Sequence, residues 1–524
     1  MTSRPTPWFV LSFALLIALP AGAEQARPGG LRAGFGSASI TPDAPDTWTD
    51  LDGDGRFTRK DRWEDKNGNG RFDAVWMAGF QNRRAAAGVH DELEAVAAVF
   101  DDGELRVGIV TADVVGLSRT FVESVRAAHQ QRLGLDYLLV HSTHNHQGPD
   151  TQGIWGSGYL TSGIDDAYMD TLRARMGEAL AAAVAGLAPA RLEIAEITGR
   201  DRRIGTVDTR GPQVIDDGIR VALLREAAGP GVLGTLVNFG NHVELLWDRN
   251  FQLTADIAGY ARRGLARGLD YDGALFRPGL GGTTLWLTGN IGGLITTGPE
   301  VGVADPRSGE AIAVPSFEKA RAQGYAIAEA VLDTVAAGAF ATAPAPRLRV
   351  HSRVIEVPVA NRPLVFGTWI GVLDRDVKHV FRPRTETEVA LVELGELWIV
   401  CVPGELYPEI AVGGITNPDG ADYEMAPLEV PPLRSAMAGR VNMMVNLAND
   451  AIGYLIPKSE WDESRPYLYG DEEDTYGEIV SAGPDTASLV HGALLELFAE
   501  ASQRGRSFSV TSPPAVSDQK GTSP

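Results

Sequence analysis

Apolar positions fall along this chain in two textures that alternate. Short continuous apolar runs bounded by turn residues occur at 105–113 (LRVGIVTAD), 136–142 (DYLLVHS), 191–197 (RLEIAEI), 219–225 (IRVALLR), 233–239 (LGTLVNF) and 284–289 (TLWLTG). Such runs predict buried strands. Between them lie segments with apolar residues at spacings of three and four, which predict helices. These are 121–133 (FVESVRAAHQQRL), 170–187 (DTLRARMGEALAAAVAGL), 257–269 (IAGYARRGLARGL) and 317–338 (FEKARAQGYAIAEAVLDTVAAG). The alternation through residues 100–340 predicts an α/β fold with a mixed, partly parallel sheet at its core. After ATAPAPR at 341–347 the texture turns to strands, in LRVHSRVIEVPVA, EVALVELG and ELWIVCVPG, so 345–400 is expected to add a β-rich layer. A helix at 485–501 (DTASLVHGALLELFAEA) closes one large domain spanning 24–503. Residues 504–524 are polar and rich in Ser and Pro, the composition of a disordered tail.

The first residues change the expected location. Arg4 precedes an apolar run from Trp8 to Leu19, which ends at Ala21-Gly22-Ala23. A charged start, a short apolar stretch and small residues at the cleavage position describe a signal peptide over 1–23. No later run reaches the roughly 18 apolar residues of a membrane helix, so no stable membrane insertion is expected and the mature protein is expected to be secreted or periplasmic. Cys401 is the only cysteine, set in an apolar run, and reads as a buried small hydrophobe. The net charge of −21 and the pI near 4.9 argue against nucleic acid as a partner, because phosphate binding needs clustered Lys and Arg. No feature of the sequence specifies an oligomeric state.

An acidic insertion at 50–76 suggests calcium. In DLDGDGRFTRKD, Asp50, Asp52, Asp54 and Gly55 fit positions 1, 3, 5 and 6 of a calcium loop, with Asp61 at position 12. In DKNGNGRFDAVW, Asp65, Asn67, Asn69, Gly70 and Asp73 fit positions 1, 3, 5, 6 and 9, but position 12 is Trp76. Alternating oxygen donors around a sharp glycine turn suit that hard cation. The loops stand too close together for ordinary flanking helices, so a structural Ca2+ role is expected rather than a sensor.

Histidine is sparse, nine in the chain, yet three fall within LLVHSTHNHQGPD. His144 and His146 lie just past a predicted strand and, two residues apart, can point the same way. Two further candidates also follow strands: His242 in LVNFGNHVELLW and Glu405 in ELWIVCVPGELYPE. Two histidines and a glutamate form a normal catalytic zinc set with a position open for water. By alternation His141 points away and reads as structural, as do His129, His351, His379 and His491.

With these residues in place the chain resembles the neutral, non-lysosomal ceramidase family. THNHQGP is similar to its T-H-T-H-S-G-P signature. GSASITP, AAGVHDELEAVAAVFDDG, NFGNHVELLW with LTADIAGYA, CVPGELY and NDAIGYLIPKSEW resemble further family segments in the family's order, over roughly residues 33–500. The resemblance implies a Zn2+-dependent amidase acting on N-acylsphingosine. It implies zinc ligands at His144, His242, Glu405 and Tyr454, with Tyr454 also serving catalysis. His146 would stand beside the metal as a polarising donor, and Arg202, or Arg203, would be the active-site arginine. Asp113 and Asp256 would orient ligating imidazoles from behind. The family's C-terminal immunoglobulin-like domain is not expected here, since few residues follow the last predicted helix.

One family feature is missing. The matching segment for the family's active-site serine is LTGNIGGLITTGPE, where Gly293 stands at the aspartate position and Ile295 at the serine position. Thr296 and Thr297 follow, one register step away. Hydrolysis is therefore expected through metal-activated water, with Gly292–Gly293 amides, His146 or Tyr454 as oxyanion donors. Two other readings stand beside this one: a zinc esterase or amidase with no sphingolipid preference, and a non-catalytic calcium-stabilised extracellular binding protein on the same fold.

Overall fold

The computed structural model describes residues 30–43, 46–198, 204–379, 381–465, 467–468 and 476–503. The expected signal peptide, the tail, and Arg202 and Arg203 lie outside the described residues.

The larger sheet has nine strands and divides into two halves. Its main strands are β1 (Arg32–Ser39), β2 (Glu94–Asp101), β3 (Arg106–Ala112), β4 (Tyr137–Ser142), β5 (Ala188–Thr198), β6 (Gly218–Glu226), β7 (Val232–Phe239) and β8 (Thr283–Thr288). They lie in the order β8-β7-β6-β5-β1-β2-β3-β4. The strand ladders of the two halves are joined where Arg32 and Ala33 pair with Pro189 and Ala188. Within each half the inner strands are antiparallel and the outermost pair is parallel, β3 with β4 and β7 with β8. A second sheet of β9 (Leu348–Pro358), β10 (Arg384–Leu394), β11 (Leu397–Cys401) and β12 (Val441–Val445) also ends in a parallel pair, β11 with β12. This is the β layer expected at 345–400, extended by β12.

Both halves and the second sheet face one shared core. It joins Val96, Phe100, Ile109 and Leu139 of one half with Leu192, Leu224, Leu236 and Leu285 of the other, and with Val392, Ile399, Cys401 and Met443 of the second sheet. Cys401 is a fully buried thiol in that core. Each outer face carries helices. The first half is covered by α1 (Arg119–His129) and α2 (Asp166–Ala185). The second half carries α3 (Asp256–Ala266) and α4 (Phe317–Ala336), and the second sheet carries α5 (Thr486–Ser502). Helix starts follow sequence logic: the side chains of Ser118, Asp165 and Ser316 accept backbone N–H groups of the first turns of α1, α2 and α4.

β1 was not evident from propensity, since RAGFGSAS reads as loop. Its small residues are a packing requirement. A Cβ at Gly34 or Gly36 would fall within 2.0 or 2.4 Å of the Ala183 or Ala179 carbonyl oxygen of α2. Glycine there lets the helix lie directly on the strand, while Phe35 on the opposite face packs against the shared core.

The topology carries one consequence for chemistry. In open α/β sheets, sites form outside the carboxyl ends of parallel strands. Here each of the three parallel pairs sends its carboxyl end into a loop with functional side chains: Asp113 after β3, His144 after β4, His242 after β7, Ile295 after β8, Glu405 after β11 and Tyr454 after β12. His141 ties two of these ends together, since its Nε2 accepts the Thr288 N–H at 3.3 Å. No described helix is long and apolar enough to cross a membrane.

Asp113 does not reach an imidazole. Its carboxylate takes both guanidinium nitrogens of Arg262 at 2.7 and 2.6 Å, together with the Glu94 N–H, and thereby locks α3 to the strand ends. Both partners are buried. Asp113→Ala leaves a buried guanidinium without its partner. It is expected to cost about 3–5 kcal/mol, read as a lower denaturant midpoint with an unchanged slope.

Candidate metal centre

Two short parallel pairings build the site. Asn145 bridges Val243, and the His146 N–H donates to the Val243 carbonyl at 3.0 Å. Residues flanking a bridged pair point to one face, so His144, His146, His242 and Glu244 share a face. The second pairing sets Glu405 beside Tyr454 and Leu406 beside Leu455, which puts the carboxylate and the phenol side by side. The chain leaves its strands sharply at these points. His144, Leu294, Leu447 and Asn449 all have left-handed φ values, between 53° and 66°. Such conformations in non-glycine residues carry strain and cluster at functional sites.

The imidazoles are held by their outer nitrogens. His144 Nδ1 lies 2.7 Å from the Val115 carbonyl oxygen, and His242 Nδ1 lies 3.0 Å from that of Ile295. A carbonyl only accepts, so Nδ1 carries the proton in both rings and Nε2 presents a bare lone pair inward. His146 Nε2 lies 3.1 Å from His144 Nε2. Glu405 Oε2 stands 3.5 Å from His144 Nε2 and 3.3 Å from His242 Nε2, and it is buried without an aligned hydrogen bond. The Tyr454 hydroxyl stands 3.4 Å from His242 Nε2. Donors about 2.0–2.1 Å from a tetrahedral ion are about 3.3–3.4 Å apart. The separations here, 3.1–3.5 Å, match that spacing. Among the described residues, His144, His146 and His242 form one of two groups with ligand atoms close enough to hold an ion, and all three are buried.

The electrostatics agree with a missing positive charge. Burial pushes His144 down to about 3. Burial also opposes charge on His242, but the Glu244 and Glu405 carboxylates outweigh it and raise its pKa. Burial disfavours ionised Glu405, yet the three histidines hold it below the usual carboxylate range. The Tyr454 phenol is raised well above its ordinary value, first by burial and then by Glu405. Two anionic carboxylates thus favour positive charge on His242, while burial opposes it on His144.

Sequence reading missed Glu244. It sits in VELL, an apolar run where one carboxylate is conspicuous. Its Oε2 lies 2.9 Å from His146 Nδ1, off the in-line direction of a hydrogen bond, and its Oε1 accepts the Thr296 hydroxyl at 2.7 Å. Burial would raise its pKa, but His146, His242 and Thr296 together hold it at about 2. Asp256 also stays away from the imidazoles; its carboxylate accepts the Ile257 and Leu246 N–H groups, and burial pushes it up to about 7. Glu405 is steadied from behind: Asn446 Oδ1 accepts the Leu406 N–H at 2.8 Å, and Asn446 donates to Asn290, which donates to Asp216.

The acidic insertion forms two turns with one backbone pattern. Gly53, Gly55, Gly68 and Gly70 all take left-handed φ. The carboxylates of Asp50, Asp52 and Asp54 converge and are mostly exposed. Asp61 turns to the Leu51 and Thr58 N–H groups. Asp65 accepts the Gly68, Asn69 and Gly70 N–H groups. Asn67 and Asn69 both donate to Asp73 Oδ2.

Comparison with solved structures decides the architecture. Neutral ceramidase from Pseudomonas aeruginosa is 16% identical over 93% of this chain and 77% of its own, with a TM-score of 0.62. This chain has a neutral ceramidase-like fold. A ceramidase complexed with C2 matches equally well, at 16% identity and TM-score 0.62, over 94% of this chain and 78% of that one. No protein-family model and no curated protein matches the sequence. On the ceramidase-like fold the converging imidazoles lie at the carboxyl ends of the two half-sheets, and Glu405 and Tyr454 at that of the second sheet.

The fit around His146 is tight enough to test. Gly79 has φ +101°, and a Cβ there would lie 2.4–2.6 Å from the His146 ring. Gly79→Ala is expected to lower stability by about 1–3 kcal/mol through strain and overlap. Gly158→Ala, whose Cβ meets nothing within 4 Å, is expected to stay within about 0.5 kcal/mol. Urea unfolding midpoints compare the two.

Proposed function

We propose that this chain is an exported zinc-dependent hydrolase that cleaves the amide of a lipid-like N-acyl substrate of the N-acylsphingosine type. The observation that carries the reading is the pair of imidazoles whose Nδ1 protons are committed to backbone carbonyls, so that bare Nε2 atoms meet a buried Glu405 Oε2 that has no aligned hydrogen bond. His144, His242, Glu405 and Tyr454 would hold the ion. When bound, it supplies Lewis-acid polarisation of a carbonyl and acidifies a water to a pKa of about 7.

The chain's own groups support hydrolysis without a covalent intermediate. Ile295 at the expected serine position offers only its carbonyl, which accepts from the His242 backbone and ring. The Thr296 hydroxyl donates to Glu244, and the Thr297 hydroxyl donates to Asn241 while accepting from Gln323. Neither is free to attack an acyl carbon, so water is the nucleophile. Tyr454 keeps its proton in the absence of a cation and can donate to a developing oxyanion. Tyr476, half-exposed and 5.9 Å from the Tyr454 ring, with Ile479 nearby in sequence, lends the site an apolar side suited to an acyl chain. The apolar residue at the serine position favours the second reading, an esterase or amidase without sphingolipid preference. The N-terminal pattern carries the expectation of export, and Arg202 remains the candidate arginine by resemblance.

Zinc analysis of the purified protein, followed by a hydrolysis screen over N-acyl amides and esters, tests this directly. One zinc per chain and amide cleavage are expected. His242→Ala is expected to lose both, and stoichiometric zinc in that variant would overturn the assignment. Replacing Thr296 and Thr297 together with Val is expected to leave turnover within about thirtyfold, since each hydroxyl contributes about 1 kcal/mol. No acyl adduct and no pre-steady-state burst are expected.

We also propose a structural Ca2+ in the acidic insertion, held through Asp50, Asp52 and Asp54, with Asp61, Asp65, Asn67, Asn69 and Asp73 shaping the paired turns. Asp52→Ala with Asp54→Ala is expected to remove the calcium-dependent part of the melting temperature and leave zinc content unchanged. A wild-type melting temperature indifferent to calcium would contradict this.

A further inference from the structure

We propose that the surface beside the pocket is a lipid-docking face. The short helix Arg362–Trp369 and the hairpin tip at Tyr159 and Leu160 seat the protein on a neutral or zwitterionic lipid surface. This rests on the reading of the pocket as a site for a lipid-like N-acyl substrate, and it states where that substrate is met.

The argument begins with sequence. Residues 360–373, ANRPLVFGTWIGVL, hold one charged side chain, Arg362, and residues 151–164, TQGIWGSGYLTSGI, hold none. In a chain that is 22% charged, segments of this composition belong in a core. The structure leaves parts of both in water. Val365 is the buried residue of the helix. Phe366, Trp369 and Ile370, at spacings of three and four, share the opposite, outward face and are 53%, 50% and 44% exposed. In the other segment Gly158 pairs with Thr161, and the tip between them carries Tyr159 and Leu160 at 83% and 69% exposure. Clustered exposed apolar side chains mark interaction sites.

Both segments are pinned beside the pocket. Asn361 caps the helix by accepting the Leu364 N–H, and its amide donates to the Ile479 and Ser481 carbonyls. The Ser481 hydroxyl donates in turn to the Tyr454 carbonyl at 2.8 Å. Beyond the helix, Arg375 donates to the Asp450 carboxylate and the Ala451 carbonyl, just ahead of Tyr454 in the chain. The hairpin backs onto the same segment: a Cβ at Gly153, φ +91°, would fall 1.9 Å from the Val372 carbonyl oxygen. Exposed Ile479 continues the apolar surface toward Tyr476, whose ring lies 5.9 Å from that of Tyr454.

Composition selects the occupant. Trp and Tyr set among aliphatic, glycine and hydroxyl residues, with no carboxylate, suit the boundary between headgroups and acyl chains. A protein partner is met instead by a polar, hydrogen-bonding rim. The net charge of −21 repels anionic headgroups, so apolar burial supplies the attraction and the lipid surface carries no net charge.

Cosedimentation of the purified protein with phosphatidylcholine vesicles tests this. Binding is expected, unchanged by added salt and weaker as phosphatidylglycerol replaces phosphatidylcholine. Replacing Phe366, Trp369 and Ile370 together with Ser is expected to weaken partitioning about 100-fold, with circular dichroism and melting temperature unchanged. Leu160→Asp, at the exposed tip, is expected to weaken it about tenfold. Absence of wild-type binding, variants that bind as wild type does, or binding that strengthens with phosphatidylglycerol would overturn the proposal. So would a dimer in analytical ultracentrifugation that the triple variant dissociates, which would assign the face to a second copy of the chain. Cleavage of a monomeric short-chain N-acyl amide is expected to be unchanged in both variants. Vesicle binding by a protein that cleaves no N-acyl amide would sink the proposed function and leave the docking face standing.

Discussion

The two-residue parallel contact between Asn145 and Val243 is the constraint on which the site depends. It joins the loop after β4 to the loop after β7, two strands from opposite halves of the nine-stranded sheet. Because side chains alternate along an extended chain, one bridge sets four residues on one face: His144, His146, His242 and Glu244. It ties the paired histidines of one half-sheet to the lone histidine of the other, at the end of the strands rather than at the two-residue β1–β5 seam. The Glu405–Tyr454 pairing then brings in the second sheet. Every donor reaches the centre from the carboxyl end of a strand in a parallel pair, so the shared core that packs the three sheet segments also sets the reach of the ligands.

Such a pocket is costly in isolation. It buries three imidazoles and two carboxylates, with Glu405 Oε2 lacking an aligned partner. Buried polar groups are normally paired, and those that are not call for an explanation. The Glu244 and Glu405 carboxylates raise the pKa of His242, and the histidines in turn lower the pKa values of both carboxylates, so imidazoles and carboxylates hold one another against the cost of burial. The guanidiniums nearby are committed elsewhere, Arg262 to Asp113, and Arg84 to carbonyl oxygens. A divalent ion would give the buried Glu405 Oε2 and the inward Nε2 atoms of His144 and His242 a common partner, which is what supports the proposed metal.

Much of this was legible in the sequence. The apolar runs marked β3 to β8, and β9 to β11 of the second sheet, but not β12. The two-residue spacing of His144 and His146 implied a common direction, and the turn at Pro403–Gly404 drew attention to Glu405. The unread parts share a physical reason, since each depends on a neighbour far away in sequence. β1 looks like loop until α2 lies on its glycines. Glu244 looks like a surface charge until the bridge to Asn145 turns it inward. Asp113 and Asp256 were expected behind the imidazoles, but backbone carbonyls of Val115 and Ile295 hold that place, and no side-chain pattern encodes a carbonyl. Ile295 is instructive: its side chain lacks the expected nucleophile, yet its carbonyl orients His242.

Anomalous diffraction above and below the zinc edge, from crystals of metal-replete protein, tests the central claim most directly. The account predicts one strong peak, about 2.0–2.1 Å from Nε2 of His144 and His242 and about 2.0–2.2 Å from Glu405 Oε2. A pocket without such a peak at full zinc, with Glu405 instead bonded to a protonated His242, would contradict it.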